Sequence, residues 1–106
     1  MADIDPLLEL MEKLRDKDKG CPWDIKQDHN SIAHCSIEEA YELVAAITKN
    51  DQENIKEELG DVLLQVIFHS QIAKENNAFD FNDVIEVLSK KLITRHPNVF
   101  DPNFDL

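Results

Sequence analysis

The segment from about Asp51 to Asn76 constrains this 106-residue chain most. Its apolar residues follow helical spacing, with no competing strand alternation. Taking Glu58 as zero and about 100° per residue, Leu59 and Val66 point near 90°, Ile67 near 180°, Leu64 near 240° and Phe68 near 280°. A helix apolar around so much of its circumference must be buried on most sides. A domain of this length buries roughly 65% of the surface its unfolded chain exposes, too little to cover such a rod alone. The segment therefore predicts a homo-oligomer, with this helix in both the subunit core and the interface.

The remaining elements follow from punctuation. Residues 5–16 predict a first helix, with Asp5 as cap, Pro6 in the first turn, and Ile4, Leu7, Leu8, Met11 and Leu14 on one face. Gly20 and Pro22 break it, and Trp23 to Asn30 reads as a polar loop carrying one large aromatic. Asn30 or Ser31 is the expected cap of a second helix running to about Lys49, and Asn50-Asp51 is the turn before the long third one. Asn76-Asn77 ends that helix. Asp80 or Asn82 caps a fourth, which runs to about Arg95 and is stopped by Pro97. The expected fold is all-α, a four-helix bundle-like domain occupying residues 1–106 and assembled as a homo-oligomer.

Charge narrows the function. The sequence holds 11 basic and 22 acidic residues, a net charge of −11. Such a surface repels nucleic acid polymers and anionic membranes, and suits a protein that collects cations. No apolar run is long enough for a membrane span, and the acidic start does not read as a signal peptide. With only two cysteines, Cys21 and Cys35, no disulfide scaffold is expected, and a cytoplasmic location is the default.

The acids themselves are patterned. Glu38-Glu39-x-x-Glu42 is followed by Glu57-Glu58-x-x-Asp61, nineteen residues later. Within each motif the second glutamate and the last acid are three apart, hence neighbours on one helix face. Glu42 and Glu58 are both centred on residue 50, as are Glu39 and Asp61. If the chain reverses at Asn50-Asp51, the two helices run antiparallel and four carboxylates come level across the hairpin. Acids on helices usually form a solvated face. Here Glu58, Asp61 and Gln65 span an arc of about 60° flanked by Val62 and Phe68, which sets charge beside a buried face. Carboxylates crowded there repel one another unless a cation intervenes. Oxygen donors alone select a hard ion, Mg²⁺ or Mn²⁺, for Glu39, Glu42, Glu58 and Asp61. Glu38, about 40° from Glu42, is either a further ligand or a base that orients water; Glu57 is turned further away.

Other residues carry two readings each. Lys91 and Arg95 share the stripe of Val84, Val87 and Leu88, and either reach out from an interior face, pair with the acids, or hold phosphate oxygens. Trp23 is either a plug that fixes its loop or a surface on which a base stacks. Cys21, His29, His34 and Cys35 match no common zinc spacing. His69 is expected as a core or interface histidine. Gly60, opposite Glu58, is expected to permit a close helix contact, since glycine in mid-helix costs about 1 kcal/mol relative to alanine.

At these residues the chain resembles the MazG family of nucleoside triphosphate pyrophosphohydrolases, within the all-α NTP pyrophosphatase superfamily. The family's E-E-x-x-E, spacer, E-x-x-D pattern is matched by Glu38-Glu39-x-x-Glu42, fifteen residues, and Glu58-x-x-Asp61. Flanking blocks match too: Gly20 to Asp24, Glu57 to His69, and Lys91 to Phe100, so the likeness covers about residues 7–100. The resemblance implies a helical homodimer or homotetramer that hydrolyses (d)NTP to (d)NMP and pyrophosphate with Mg²⁺. It implies that Glu39, Glu42, Glu58 and Asp61 bind metal, with Glu38 alongside, and Glu38 and Glu39 are the catalytic candidates. Lys91 and Arg95 would hold the phosphates, and the base would lie in a pocket completed by aromatic or amide side chains of this or another subunit, with Trp23 a substrate-binding candidate. Asp28, Cys35 and Asn98 replace a usual Thr, Tyr and His, and Lys17 to Gly20 replaces a usual Pro- and Gly-containing stretch. These departures bear on base preference rather than metal chemistry. Many relatives carry two tandem domains, whose second member symmetry would have to replace here. The rival class is a non-catalytic helical module that senses nucleotides.

Overall fold

The computed structural model describes residues 2–105. Helix α1 (Asp5–Leu14) begins one residue earlier than its predicted cap allows. Ile4 caps it, its carbonyl accepting from the N–H groups of Leu7 and Leu8 at 3.0 and 3.1 Å, and Asp5 is the first helical residue. The helix stops at Leu14 rather than residue 16 because Asp16 turns its carboxylate to the N–H groups of Asp18 and Lys19. The chain then folds back so tightly that a Cβ on Gly20 would collide with the carbonyl oxygens of Leu14 and Asp16.

The expected polar loop contains a single helical turn, α2 (Pro22–Ile25). Helix α3 (His29–Thr48) is capped by Asp28, not by Asn30 or Ser31. Asp28 Oδ1 accepts from Ser31 N and Ser31 Oγ accepts from Asp28 N, both at 2.8 Å. This reciprocal box uses Ser31 as its third helical residue, which is why the start lies earlier than expected. Asn50 takes the left-handed conformation (φ 54°) and Asp51 caps α4 (Gln52–Glu75), reversing the chain where the sequence predicts. Asn77 is left-handed (φ 58°) after α4, and Asp80 caps α5 (Phe81–Arg95). Pro97 ends α5 as expected and opens a further turn, α6 (Pro97–Phe100).

The described residues are all-helical, with no strand. Helix α4 is the centre: α3 runs antiparallel along it, and α1 and α5 pack on it as well. The core is Met11, Ile32, Ile67, Phe68 and Ile72, with Ile4, Leu8, Cys35 and Phe81 against it. Arg15 closes one end. Its guanidinium donates to both Glu75 oxygens at 2.8 Å and to the carbonyls of Asp24 and Gln27, with its carbon 5.5 Å from the Phe68 ring centre.

The predicted burial of α4 is only half met within one chain. Ile67 and Phe68 are buried, but Leu59, Leu64 and Val66 are 52, 42 and 38% exposed. No residue of α5 is buried. The radius of gyration is 17.1 Å, against about 13 Å for a globule of this length. Among the described residues no helix covers these faces fully. Gly60 likewise meets no atom within 4 Å of where a Cβ would stand, so the close contact expected of it is not made among the described residues.

Candidate metal centre

The α3–α4 hairpin does what the symmetry about residue 50 predicts. Glu39 and Glu42 sit one turn apart on α3, Glu58 and Asp61 one turn apart on α4, and one carboxylate oxygen from each lies within 4.8 Å of the other three. Glu39, Glu58 and Gln65 each bury an oxygen that has no hydrogen-bond partner: Glu39 Oε2, Glu58 Oε2 and Gln65 Oε1. Buried acceptors left bare are rare and costly.

The electrostatics follow from that crowding. Desolvation, then the Glu42 carboxyl, then the Asp61 charge hold Glu58 up, to about 7. Desolvation and the charges of Glu42 and Asp61 also raise Glu39. Four acids held this close favour a proton or a cation among them. A divalent cation fits the donor set on two grounds: the bare buried oxygens are acceptors only, and all the donors are hard.

The remaining expected residues lie around this centre unequally. Glu38 is exposed, and its carboxylate groups with His34 and Cys35 rather than with the quartet. Trp23 is 58% exposed and lines a cavity of about 170 Å³ with Leu14, Ile32, Cys35, Leu64 and Gln65. Lys91 and Arg95 are exposed, and among the described residues neither pairs with the acids. Their stripe is largely uncovered among the described residues: Val84 is half-buried, Val87 and Leu88 are exposed, and Lys91 borders an open apolar groove with them and Phe79. The inward orientation expected of both is therefore not reached within a single subunit. His69 is half-buried and meets His29, Nδ1 to Nδ1 at 2.7 Å, with the rings stacked. Burial, then the His29 charge, lower its pKa.

Sequence reasoning placed Gln65 on the acid arc but gave it no role, and it passed over Arg15. The signal for Gln65 was present: an amide one turn beyond Asp61 on a face otherwise acidic or apolar. Nothing local marks Arg15, whose partners Asp24, Gln27 and Glu75 are brought to it only by the fold.

An all-helical hairpin that converges four carboxylates, two with bare buried oxygens, defines a class of helical proteins with an acidic cluster that could hold a metal ion. Comparison with known proteins is specific. Residues 27–100 match the model of the MazG nucleotide pyrophosphohydrolase domain. The chain is 55% identical over 97 residues to the nucleoside triphosphate pyrophosphohydrolase/pyrophosphatase MazG of Thermotoga maritima, covering 92% of this chain and 38% of that protein. It is 48% identical over 100 residues to the nucleoside triphosphate pyrophosphohydrolase of Escherichia coli K12, covering 94% and 38%. With the protein of that name from Mycolicibacterium smegmatis the identity is 42% over 92 residues, covering 85% and 28%. The chain belongs to the MazG family, and spans less than two fifths of the length of these relatives.

Proposed function

We propose that the chain is a Mg²⁺-dependent nucleoside triphosphate pyrophosphohydrolase domain, converting a (d)NTP and water to a (d)NMP and pyrophosphate. The observation that carries this reading is the carboxylate quartet with its bare buried oxygens. Glu39, Glu42, Glu58 and Asp61 would hold Mg²⁺, or Mn²⁺ in its place. Such an ion supplies charge neutralisation for the triphosphate and acidifies water. Glu39, with its neighbour Glu38 turning toward the quartet from the adjoining cluster, would orient the attacking water and take its proton, as the water oxygen bonds to the α-phosphorus and the bond to the bridging oxygen breaks. Pyrophosphate leaves with the electron pair of that bond.

The cavity beside the quartet suits the base. Trp23 offers a ring face, and Gln65 Oε1 is an acceptor with no protein partner, one turn beyond Asp61. Lys91 and Arg95 hold phosphates in a homodimer or homotetramer. The apolar faces favour such an assembly: Ile37, Tyr41 and Val44 on α3, Leu59 and Leu63 on α4, and Val87, Leu88 and Leu92 on α5 are all at least one third exposed. Patches of that extent mark interaction surfaces. No helix among the described residues can cross a membrane, and both cysteines are unpaired, in keeping with a reducing cytoplasm.

The test is a panel of NTPs with Mg²⁺ and product identification. Pyrophosphate plus NMP is expected. Binding without turnover would instead favour a nucleotide-sensing module, and orthophosphate as product a different phosphohydrolase.

A further inference from the structure

A second cluster of ligating atoms lies beside the quartet. His34 and Cys35, adjacent on α3, and Glu38, one turn further on, bring one nitrogen, one sulfur and one carboxylate oxygen within 4.8 Å of one another. Its donors differ in kind from those of the quartet. A thiolate, an imidazole and a carboxylate suit a borderline-soft ion, and three protein ligands with a fourth position open to solvent is a common zinc arrangement. The spacing that discouraged a zinc reading paired Cys21 and His29 with His34 and Cys35, and left out the carboxylate that the helix supplies.

The one pairwise distance is compatible with this composition. Zinc bonds of about 2.3 Å to sulfur and about 2.1 Å to nitrogen at a tetrahedral angle hold those two atoms about 3.6 Å apart. Cys35 Sγ and His34 Nε2 are 3.7 Å apart. Cys35 is half-buried and packed against the core, which fixes the sulfur, while His34 and Glu38 are exposed and free to adjust. We infer that His34, Cys35 and Glu38 form a zinc-binding site, separate from the carboxylate quartet and adjoining it through Glu38 and Glu39.

Two consequences follow, the second resting on the proposed hydrolase reading. Neighbouring sites on one helix sort metals by hardness: oxygen donors take Mg²⁺, and the mixed trio takes Zn²⁺. Zinc bound to the trio also withdraws Glu38 from the water it would orient, so zinc inhibits the hydrolase.

Cobalt(II) tests the site directly, because it adopts the same tetrahedral sites and gives a charge-transfer absorption only when bound to thiolate. Excess Mg²⁺ is added first to the reduced full chain, to fill the quartet. Cobalt should then produce the thiolate band, saturating at one equivalent and bleached by Zn²⁺. Cys21→Ser should keep the band, Cys35→Ser should abolish it, and His34→Ala should weaken cobalt binding at least tenfold. In the unaltered protein, equimolar Zn²⁺ should slow alkylation of Cys35 at least tenfold and leave Cys21 unaffected, a readout that does not depend on any variant folding. No thiolate band in the wild type, a band that survives Cys35→Ser, or equal protection of both cysteines overturns the site. Neither readout uses turnover, so a chain with no pyrophosphohydrolase activity that still gives the band retains its zinc site and loses only the proposed function. Zinc that inhibits the wild type and Cys35→Ser equally overturns the coupling through Glu38.

Discussion

The two ends of α4 treat their acids in opposite ways. At its C-terminal end Glu75 receives both arms of the Arg15 guanidinium at 2.8 Å, and this contact holds its carboxyl below the ordinary range. Nearly five turns earlier Glu58 faces Glu39, Glu42 and Asp61, with no basic side chain among the groups acting on it, and is pushed up to about 7. The same residue type on the same helix is thus completed at one end by the protein itself and left incomplete at the other. A carboxylate matched by arginine ties elements together. A carboxylate set among carboxylates stores repulsion that an external cation would relieve, and that repulsion is expected to separate structure from function along α4.

The largest expected effect lies at the incomplete end. Glu58→Gln should lower pyrophosphohydrolase activity at least about a hundredfold, the upper range for altering the surroundings of a metal, and should remove most of the stabilisation that Mg²⁺ gives in thermal melts. Without Mg²⁺, Asp61→Asn should be neutral or stabilising because it relieves like-charge crowding; with Mg²⁺ it should reduce the metal-dependent gain. If both variants behave as wild type in both conditions, the quartet is a solvated surface and the contrast is empty.

The complete end should respond in the reverse manner. Arg15→Ala removes a nearly buried guanidinium bonded to Glu75 and to the carbonyls of Asp24 and Gln27. A loss of about 2 kcal/mol is expected, since Glu75 is partly exposed and solvent screens the pair. Chemical denaturation measures it. Arg15 also anchors the segment that carries Trp23, so KM should rise more than kcat falls. An Arg15→Ala protein as stable as wild type would remove the structural half of the comparison.

Acidity sharpens the same contrast. The folded pKa of Glu58 is raised, so its contribution to stability is fully present below about 4.5 and lost as the pH rises through about 7. The folded pKa of Glu75 is lowered, so its contribution is present above about 4.5 and lost as the pH falls through the lowered value. In the metal-free protein the melting temperature should therefore decline between pH 4.5 and 7, and Mg²⁺ should flatten that decline. A decline equally steep with and without Mg²⁺ would disconnect the raised Glu58 from metal binding.

Much of this was readable from local chemistry. The four long helices, the reversal at Asn50-Asp51 and the convergence of Glu39, Glu42, Glu58 and Asp61 depend on periodicity and on the symmetry of two motifs about one turn. The helix starts were less legible, because Asp28 competes with Asn30 and Ser31 and wins by recruiting Ser31 into its box. Arg15 was invisible, since its value comes from partners up to 60 residues away. Lys91 and Arg95 were less legible for a different reason. The periodicity of α5 correctly identifies a stripe, but it cannot say whether the chain itself provides a surface for that stripe to face.

The smallest expected effect asks the same question of α4. Gly60 lies in the middle of a helix, between Glu58 and Asp61, and a Cβ there would meet nothing within 4 Å. In an isolated chain Gly60→Ala should therefore stabilise by about 0.5–1 kcal/mol, because alanine loses less backbone freedom on entering a helix. Gly60 adjoins Leu59, which is 52% exposed and belongs to one of the apolar faces that the proposed assembly would cover. If a second copy packs against this face closely enough to need the missing Cβ, the same substitution should weaken association while still stabilising the dissociated subunit. Sedimentation and denaturation across a range of protein concentrations read the two effects separately. A gain in stability that does not vary with concentration would place Gly60 outside any interface and leave the exposed α4 face to be covered elsewhere along its length.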